Sequence, residues 1–337
     1  MANDEIDALI AAARRTVDWL LAAQEADGSF GPERTDLSYF YKAPSLLALT
    51  GHPRAADRML EHLAQSYQER DGSFRTDAGH KTADAVLANY AGYIDGWLAM
   101  AAQRAGRFDV ARPAWAHLRR FAHPHQGGFC LAGPYRGDGS DITELLTTAH
   151  LGLTALYCGE LPLALAAGQY LREFWDRQPQ PEARLYLRMN DKGEFITDFP
   201  ADQAALHVVE RDQPGQAWFF IGYPMAFLVQ LTRATASAVH MAAANLETAQ
   251  AYAGFAIDCS ELMKDDHQSH KVGWGAALLT WATGESQYRD LALKIAGNLV
   301  AKQSPEGTWC DDGPEYTRFD QSVEAALWLA EIAVLLG

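Results

Sequence analysis

Apolar positions along this chain fall into two kinds of segment that take turns. In the first kind they occupy one stripe. Ile6, Leu9, Ile10, Ala13, Val17 and Leu20 are spaced 3, 1, 3, 4 and 3 apart, the signature of one helix face. Ala56, Met59, Leu60 and Leu63 repeat the pattern, as do Val110, Ala114, Leu118 and Phe121. Segments 161–176, 238–260 and 286–301 complete a set of six amphipathic helices. Each is followed by a segment that is apolar on most sides: 36–50, 84–104, 141–157, 216–232, 269–283 and 320–336. A helix apolar all round sits inside a protein, and one with a single apolar stripe sits at its surface. Six alternating pairs therefore predict an all-α fold, an (α/α)6 toroid with six inner helices wrapped by six outer ones. Tandem helix hairpins also build open solenoids, but helices this apolar at every second position call for closure. The whole of 1–337 reads as one such domain. Polar residues 178–213, rich in Pro, Asp and Gln, interrupt the rhythm and are expected to form an insertion or lid.

A short motif punctuates the helices. Gln24-Glu-Ala-Asp-Gly-Ser-Phe30 returns as Gln68-Glu-Arg-Asp-Gly-Ser-Phe74 and as Gln303-Ser-Pro-Glu-Gly-Thr-Trp309, with echoes at Gln126–Phe129 and Asn190–Phe195. The glycine supplies a left-handed backbone position that ends a helix sharply, and the aromatic two residues on can fold back onto the helix just left.

These turns resemble the Gln-x-x-x-Gly-x-Trp repeats of the terpenoid cyclase and protein prenyltransferase superfamily. The resemblance implies an α/α toroid with its active site in the central cavity, and a reaction that cyclises, isomerises or (de)hydrates an isoprenoid- or polyene-like molecule. Two of the three full copies end in Phe rather than Trp, and no Asp-x-Asp-Asp acid motif is present. The squalene–hopene type of protonation therefore does not carry over. Similar toroids, those of unsaturated glucuronyl hydrolases and N-acylglucosamine 2-epimerases, carry like turns. They imply the alternative of a carbohydrate-active enzyme, with Arg184, Arg188, His207 and Arg211 of the insertion binding a sugar or uronate. A third option is a non-catalytic scaffold.

Composition narrows the field. A formal charge of −15 opposes nucleic acid and anionic membranes. No apolar run reaches the ~20 residues that span a bilayer, and residues 1–30 lack the basic and apolar regions of a secretion signal. Four cysteines (Cys130, Cys158, Cys259, Cys310) lie far apart without a C-x-x-C pair, which fits reduced thiols and a cytoplasmic location. No nucleotide-binding or nucleophile-elbow motif appears. No cofactor is expected, the partner is expected to be a small molecule, and the oligomeric state stays open. Asp258-Cys259 does not match the zinc arrangement of prenyltransferases, so no metal is expected.

Inner helices of a toroid share a direction, so their positive N-termini gather at one mouth. Polar residues in their first turns are the candidates for chemistry. Asp36, Asp141 and Asp320 read as N-caps, with Asp141–Glu144 as a capping box. Asp95, Glu144 and Glu324 are carboxylates on apolar helices, where burial raises the pKa and suits a general acid. His270, three residues after His267 and on the same face, is the candidate base. Tyr41, Tyr93, His150, Trp218 and Trp274 are the candidate lining, since aromatic faces hold carbocations and stack on sugar rings alike.

Overall fold

A computed structural model describes the backbone of residues 2–337 and side chains from Asp4 onward. Thirteen α-helices carry it: α1 (Ala2–Ala23), α2 (Ala43–Leu49), α3 (Pro53–Ser66), α4 (Tyr93–Arg104), α5 (Phe108–Leu118), α6 (Leu145–Tyr157) and α7 (Leu161–Asp176). They continue with α8 (Phe219–Ala234), α9 (Val239–Asp258), the single-turn α10 (Glu261–Asp265), α11 (His270–Thr283), α12 (Ser286–Ala301) and α13 (Glu315–Leu336). Helices α2, α4, α6, α8, α11 and α13 pack side by side in that order, and α13 returns to α2. Each lies against one outer partner, respectively α3, α5, α7, α9, α12 and α1. The result is the closed toroid of six inner and six outer helices.

The repeated turns lock the outer ring. Gln24 Nε2 donates to Ala55 O of α3 (3.1 Å), Gln68 Nε2 to Val110 O of α5 (3.0 Å) and Gln303 Nε2 to Ala12 O of α1 (2.9 Å). Gly28, Gly72 and Gly307 all have φ near +90°, at +90°, +89° and +89°. Each presses its Cα against the next outer helix so closely that a Cβ would meet Arg58 O at 2.3 Å, Pro113 O at 2.0 Å or Arg15 O at 2.9 Å. Glycine is therefore required twice over, for conformation and for approach. The last copy docks onto the first helix, which is how the ring closes.

Several inner segments start elsewhere than their sequence predicts. Helix α4 begins at Tyr93 rather than residue 84, because Asp84 Oδ1 accepts from Val86 N and Leu87 N and holds a separate 3-10 turn. Helix α6 begins at Leu145, with Glu144 rather than Asp141 as its cap. Helix α13 begins at Glu315, so Asp320 lies inside it and caps nothing. Asp36 accepts from Ser38 N at 2.8 Å, but it opens only a 3-10 turn, and helix α2 begins at Ala43 rather than at residue 36.

The insertion contributes β2 (Arg184–Tyr186), β3 (Arg188–Met189) and β4 (Val208–Glu210). Strands β2 and β4 pair with each other, while β3 pairs with β1 (Thr143–Glu144) at the foot of α6. All four cysteines are free, and among the described residues no helix is long and apolar enough to cross a membrane.

Candidate active site

A cavity of about 210 Å³ opens where the inner helices begin. Every one of the six supplies a wall from its first turns or the residue before them: Lys42, Tyr93, Leu146, Phe219, His270 with Lys271, and Asp320. The mouth loop adds Val86, Leu87 and Tyr90. Convergent helix N-termini make this end of the ring electropositive.

The floor is one charged cluster centred on Glu324. Asp320, Glu324 and Trp328 recur every four residues on α13 and so share the face turned to the ring axis. Lys42 Nζ lies 2.5 Å from Glu324 Oε2 and 2.8 Å from Asp320 Oδ1. Lys271 Nζ lies 2.7 Å from Glu324 Oε1 and 3.0 Å from His270 Nε2, which in turn is 3.3 Å from Glu324 Oε2. The Trp328 indole N–H donates to Glu324 Oε1 at 3.3 Å. All five ionisable groups are buried, so their charges are compensated by one another rather than by water.

That arrangement separates the two lysines. Burial pulls both ammonium groups toward neutrality. Lys42, held by two carboxylates, is nevertheless raised above its ordinary value. Lys271 shares a single carboxylate and feels the charge of Lys42, and it falls to about 8. Glu324 is held well below the carboxylate range, because Lys271, Lys42 and His270 together outweigh its burial. His270 is lowered by burial and by Lys271. Its Nδ1–H donates to His267 O at 2.6 Å, which leaves the Nε2 lone pair facing Lys271. The site thus holds a neutral imidazole beside an ammonium poised near physiological pH.

Beneath this floor lies an aromatic plug. Trp274 and Trp328 stack at 4.2 Å between centroids, and Trp97 packs on Trp328 at 5.6 Å. Tyr93, Tyr223 and Trp97 close round the His150 ring, at 4.7, 5.4 and 5.9 Å between centroids, and Tyr41 packs on Tyr93.

Of the residues singled out from sequence, Glu324, His270 and Tyr93 line the cavity. The others stand elsewhere. Asp95 is wholly buried under the mouth loop, 2.5 Å from Lys81 and 3.8 Å from His117. Burial raises its pKa, but it has no opening to the cavity wall. Glu144 spends both oxygens on the first turn of α6, accepting from Leu146 N at 3.0 Å and Thr147 N at 2.6 Å. His150 bonds Tyr93 O at 2.9 Å and is driven by burial down to about 3, so it is a neutral core residue. Tyr41, Trp218 and Trp274 belong to the packed interior and not to the wall. Lys42, Lys271 and Asp320 stand among the first-turn polar candidates, but the sequence assigns the lysines no role and reads Asp320 as a cap. Its available signal was a lysine at the head of each of two apolar helices.

No family model and no curated protein matches this chain. Solved structures do. D-mannose isomerase superposes with a TM-score of 0.66 at 11% identity over 96% of each chain. The type II terpene cyclase MstE from Scytonema, in complex with geranylgeranyl dihydroxybenzoate, gives 0.62 at 13% over 99% of each. The GH76A α-1,6-mannanase from Salegentibacter sp. HEL1_6 gives 0.64 at 12%, over 98% of this chain and 100% of its own. The fold is the α/α toroid that these three share.

Proposed function

We propose that this chain is an enzyme that moves protons on a small polyhydroxylated carbonyl compound, isomerising or epimerising a sugar in the cavity. The observation that carries this reading is the Glu324 cluster, which places a neutral imidazole and a labile ammonium 3.0 Å apart on a cavity floor. His270 Nε2 takes a proton from the carbon beside the substrate carbonyl. The Lys271 ammonium turns from His270 to the carbonyl oxygen and stabilises the enediolate that forms. Return of the proton to the neighbouring carbon, as the hydroxyl proton of the enediolate passes to the former carbonyl oxygen, gives the isomer, and return to the same carbon after the enediolate has turned its other face to His270 gives the epimer. Glu324 stays ionised throughout and holds both groups in place. A cavity of about 210 Å³ falls below the ~300–1,000 Å³ of drug-sized sites and suits a compact ligand. Phe219 and Tyr90 offer apolar faces for one side of a sugar ring.

Cyclisation of an isoprenoid is the second reading. Val86, Leu87, Leu146 and Phe219 favour it, since they make one side of the mouth apolar. It ranks lower because the aromatic groups that would hold a carbocation are packed beneath a charged floor.

The test is proton NMR in D₂O with a panel of aldoses, ketoses and uronates beside a panel of prenyl compounds. Loss of the signal from the hydrogen beside a sugar carbonyl is expected, slowed about 10²–10⁴-fold in His270→Asn. A sugar panel without exchange, beside a prenyl compound that is consumed, would overturn the proposal.

A further inference from the structure

The insertion builds a corner made of hydrogen-bond donors that have no acceptor. Pairing of β1 with β3 sets Arg188 opposite Glu144, which brings a guanidinium to the N-terminus of α6. Arg188 is only 7% exposed. Glu144 cannot serve it, having committed both oxygens to backbone N–H groups. No other carboxylate of the described residues lies within ion-pairing distance of Arg188. Its one side-chain bond runs from Nη1 to His207 Nε2, at 3.1 Å.

That bond fixes the neighbouring imidazole. His207 accepts at Nε2, so its proton sits on Nδ1, and burial together with the Arg188 charge lowers its pKa to about 4 and keeps it neutral. Its ring is held flat against Phe199, 4.7 Å between centroids. Arg188 Nε, Arg188 Nη2 and His207 Nδ1 are buried without a well-formed hydrogen bond, and the Tyr90 hydroxyl, which faces Arg188, has no acceptor of its own. The first three are donors only, and the fourth can donate. Buried donors are rarely left unpaired in native proteins, and a group of them calls for a missing acceptor. Tyr90 connects this corner to the rest of the site. Its phenol feels the charges of both Arg188 and Glu144, and its ring is part of the cavity wall.

We infer that this corner is a subsite for an oxyanion, a carboxylate or a phosphate, on a substrate whose other end lies over Lys271 and His270. The inference rests on the sugar reading above and narrows its substrate class to acidic sugars. A planar guanidinium with two free N–H groups recognises either anion. The two sources differ in the shape and charge of the anion, which the experiment separates.

The test compares binding of glucose, glucuronate, glucose 6-phosphate, acetate and inorganic phosphate to the full chain by calorimetry, with Arg188→Gln and Arg188→Lys alongside. An acidic sugar is expected to bind about tenfold or more tightly than glucose. In Arg188→Gln that preference falls to within about twofold, and Arg188→Lys retains part of it. Preference for glucuronate alone assigns a carboxylate, and preference for glucose 6-phosphate alone a phosphate. Equal affinities for acidic and neutral sugars in the unaltered protein would overturn the inference whether or not the variants fold. So would an anion preference that survives Arg188→Gln. The two proposals fail separately. Exchange on a neutral sugar without any anion preference removes only the subsite. Acetate or phosphate binding lost in Arg188→Gln, without exchange on any sugar, removes only the proton-transfer reading.

Discussion

Replacing Lys42 by Met tests the reasoning behind the site without knowledge of any substrate. The two lysines hold opposite oxygens of one carboxylate, at 2.5 Å and 2.7 Å. Two ammonium groups so placed stand roughly 6 Å apart, where an effective dielectric of about 20 gives about 3 kcal/mol of repulsion, or about two pKa units. Removing Lys42 relieves that repulsion and leaves Glu324 to Lys271 alone. Both effects favour the charged form, so Lys271 should rise from about 8 toward its ordinary value of 10.5. The chain has seven lysines, few enough for 13Cε-labelled lysine to give a resolved NMR titration, with Lys271→Met identifying the signal. Leaving Asp320 without its cation would cost about 3–5 kcal/mol, so the double variant Lys42→Met/Asp320→Asn keeps the charge balanced and should show nearly the same shift. The reasoning is refuted if Lys271 titrates near 10.5 in the unaltered protein. It is equally refuted if neither variant moves that titration upward by at least about half a unit.

Two further outcomes follow from the frame of the ring and its plug. Gly72→Ala places a Cβ 2.0 Å from Pro113 O at φ +89°, whereas Gly79→Ala has φ +79° and nothing within 4 Å. Urea unfolding should show a loss of about 3 kcal/mol or more for the first and about 1–2 for the second, and equal losses would deny the docking role of the turn. His150 is neutral in the folded protein down to about 3, against an ordinary value of 6.5. The unfolded chain takes up that proton first, so the stability present above 6.5 drains away as pH falls toward 3. Between pH 7 and 4.5 the unaltered protein should lose about 2–3 kcal/mol more than His150→Phe, and parallel losses would show that His150 is not the group responsible.

How much of this was legible in the sequence depends on how local each cause is. The alternation of striped and apolar segments survives because each helix buries its own face, and the turn motif survives because a single glycine sets each copy. Helix starts were less legible. The start of α6 depends on β1 pairing with β3, a strand 45 residues further along the chain by the register Thr143–Met189 and Glu144–Arg188, and no local pattern reports that pairing. The start of α13 did leave a signal, Pro314 followed by Glu315, which is the usual opening of a helix. Missing it turned Asp320 from a partner of Lys42 into a cap. The cluster itself joins residues at the two ends of the chain, Lys42 and Glu324 being 282 positions apart. A lysine on an apolar helix is visible in sequence, but its counter-ion becomes visible only once the ring is closed.

That last point ties the site to the fold. Lys42 precedes α2 and Glu324 lies on α13, the two inner helices that meet where the ring closes. The turn 303–309 brings them together by seating Gly307 on α1 at Arg15 and bonding Gln303 to Ala12. Until that contact forms, Lys42 lacks both of its carboxylates, and Lys271 has Glu324 without the competing charge that lowers its pKa. The aromatic plug matters for the same reason. Its rings, Tyr41, Tyr223, Trp97 and Trp274 among them, are buried away from water, so the cluster rests on a layer that screens little. Two cations and two carboxylates balance in number, yet Glu324 is divided among three partners, and that division leaves Lys271 the group held least firmly to its proton. Its lowered pKa is thus a consequence of ring closure, and the closing turn supports the charge cluster as well as the fold.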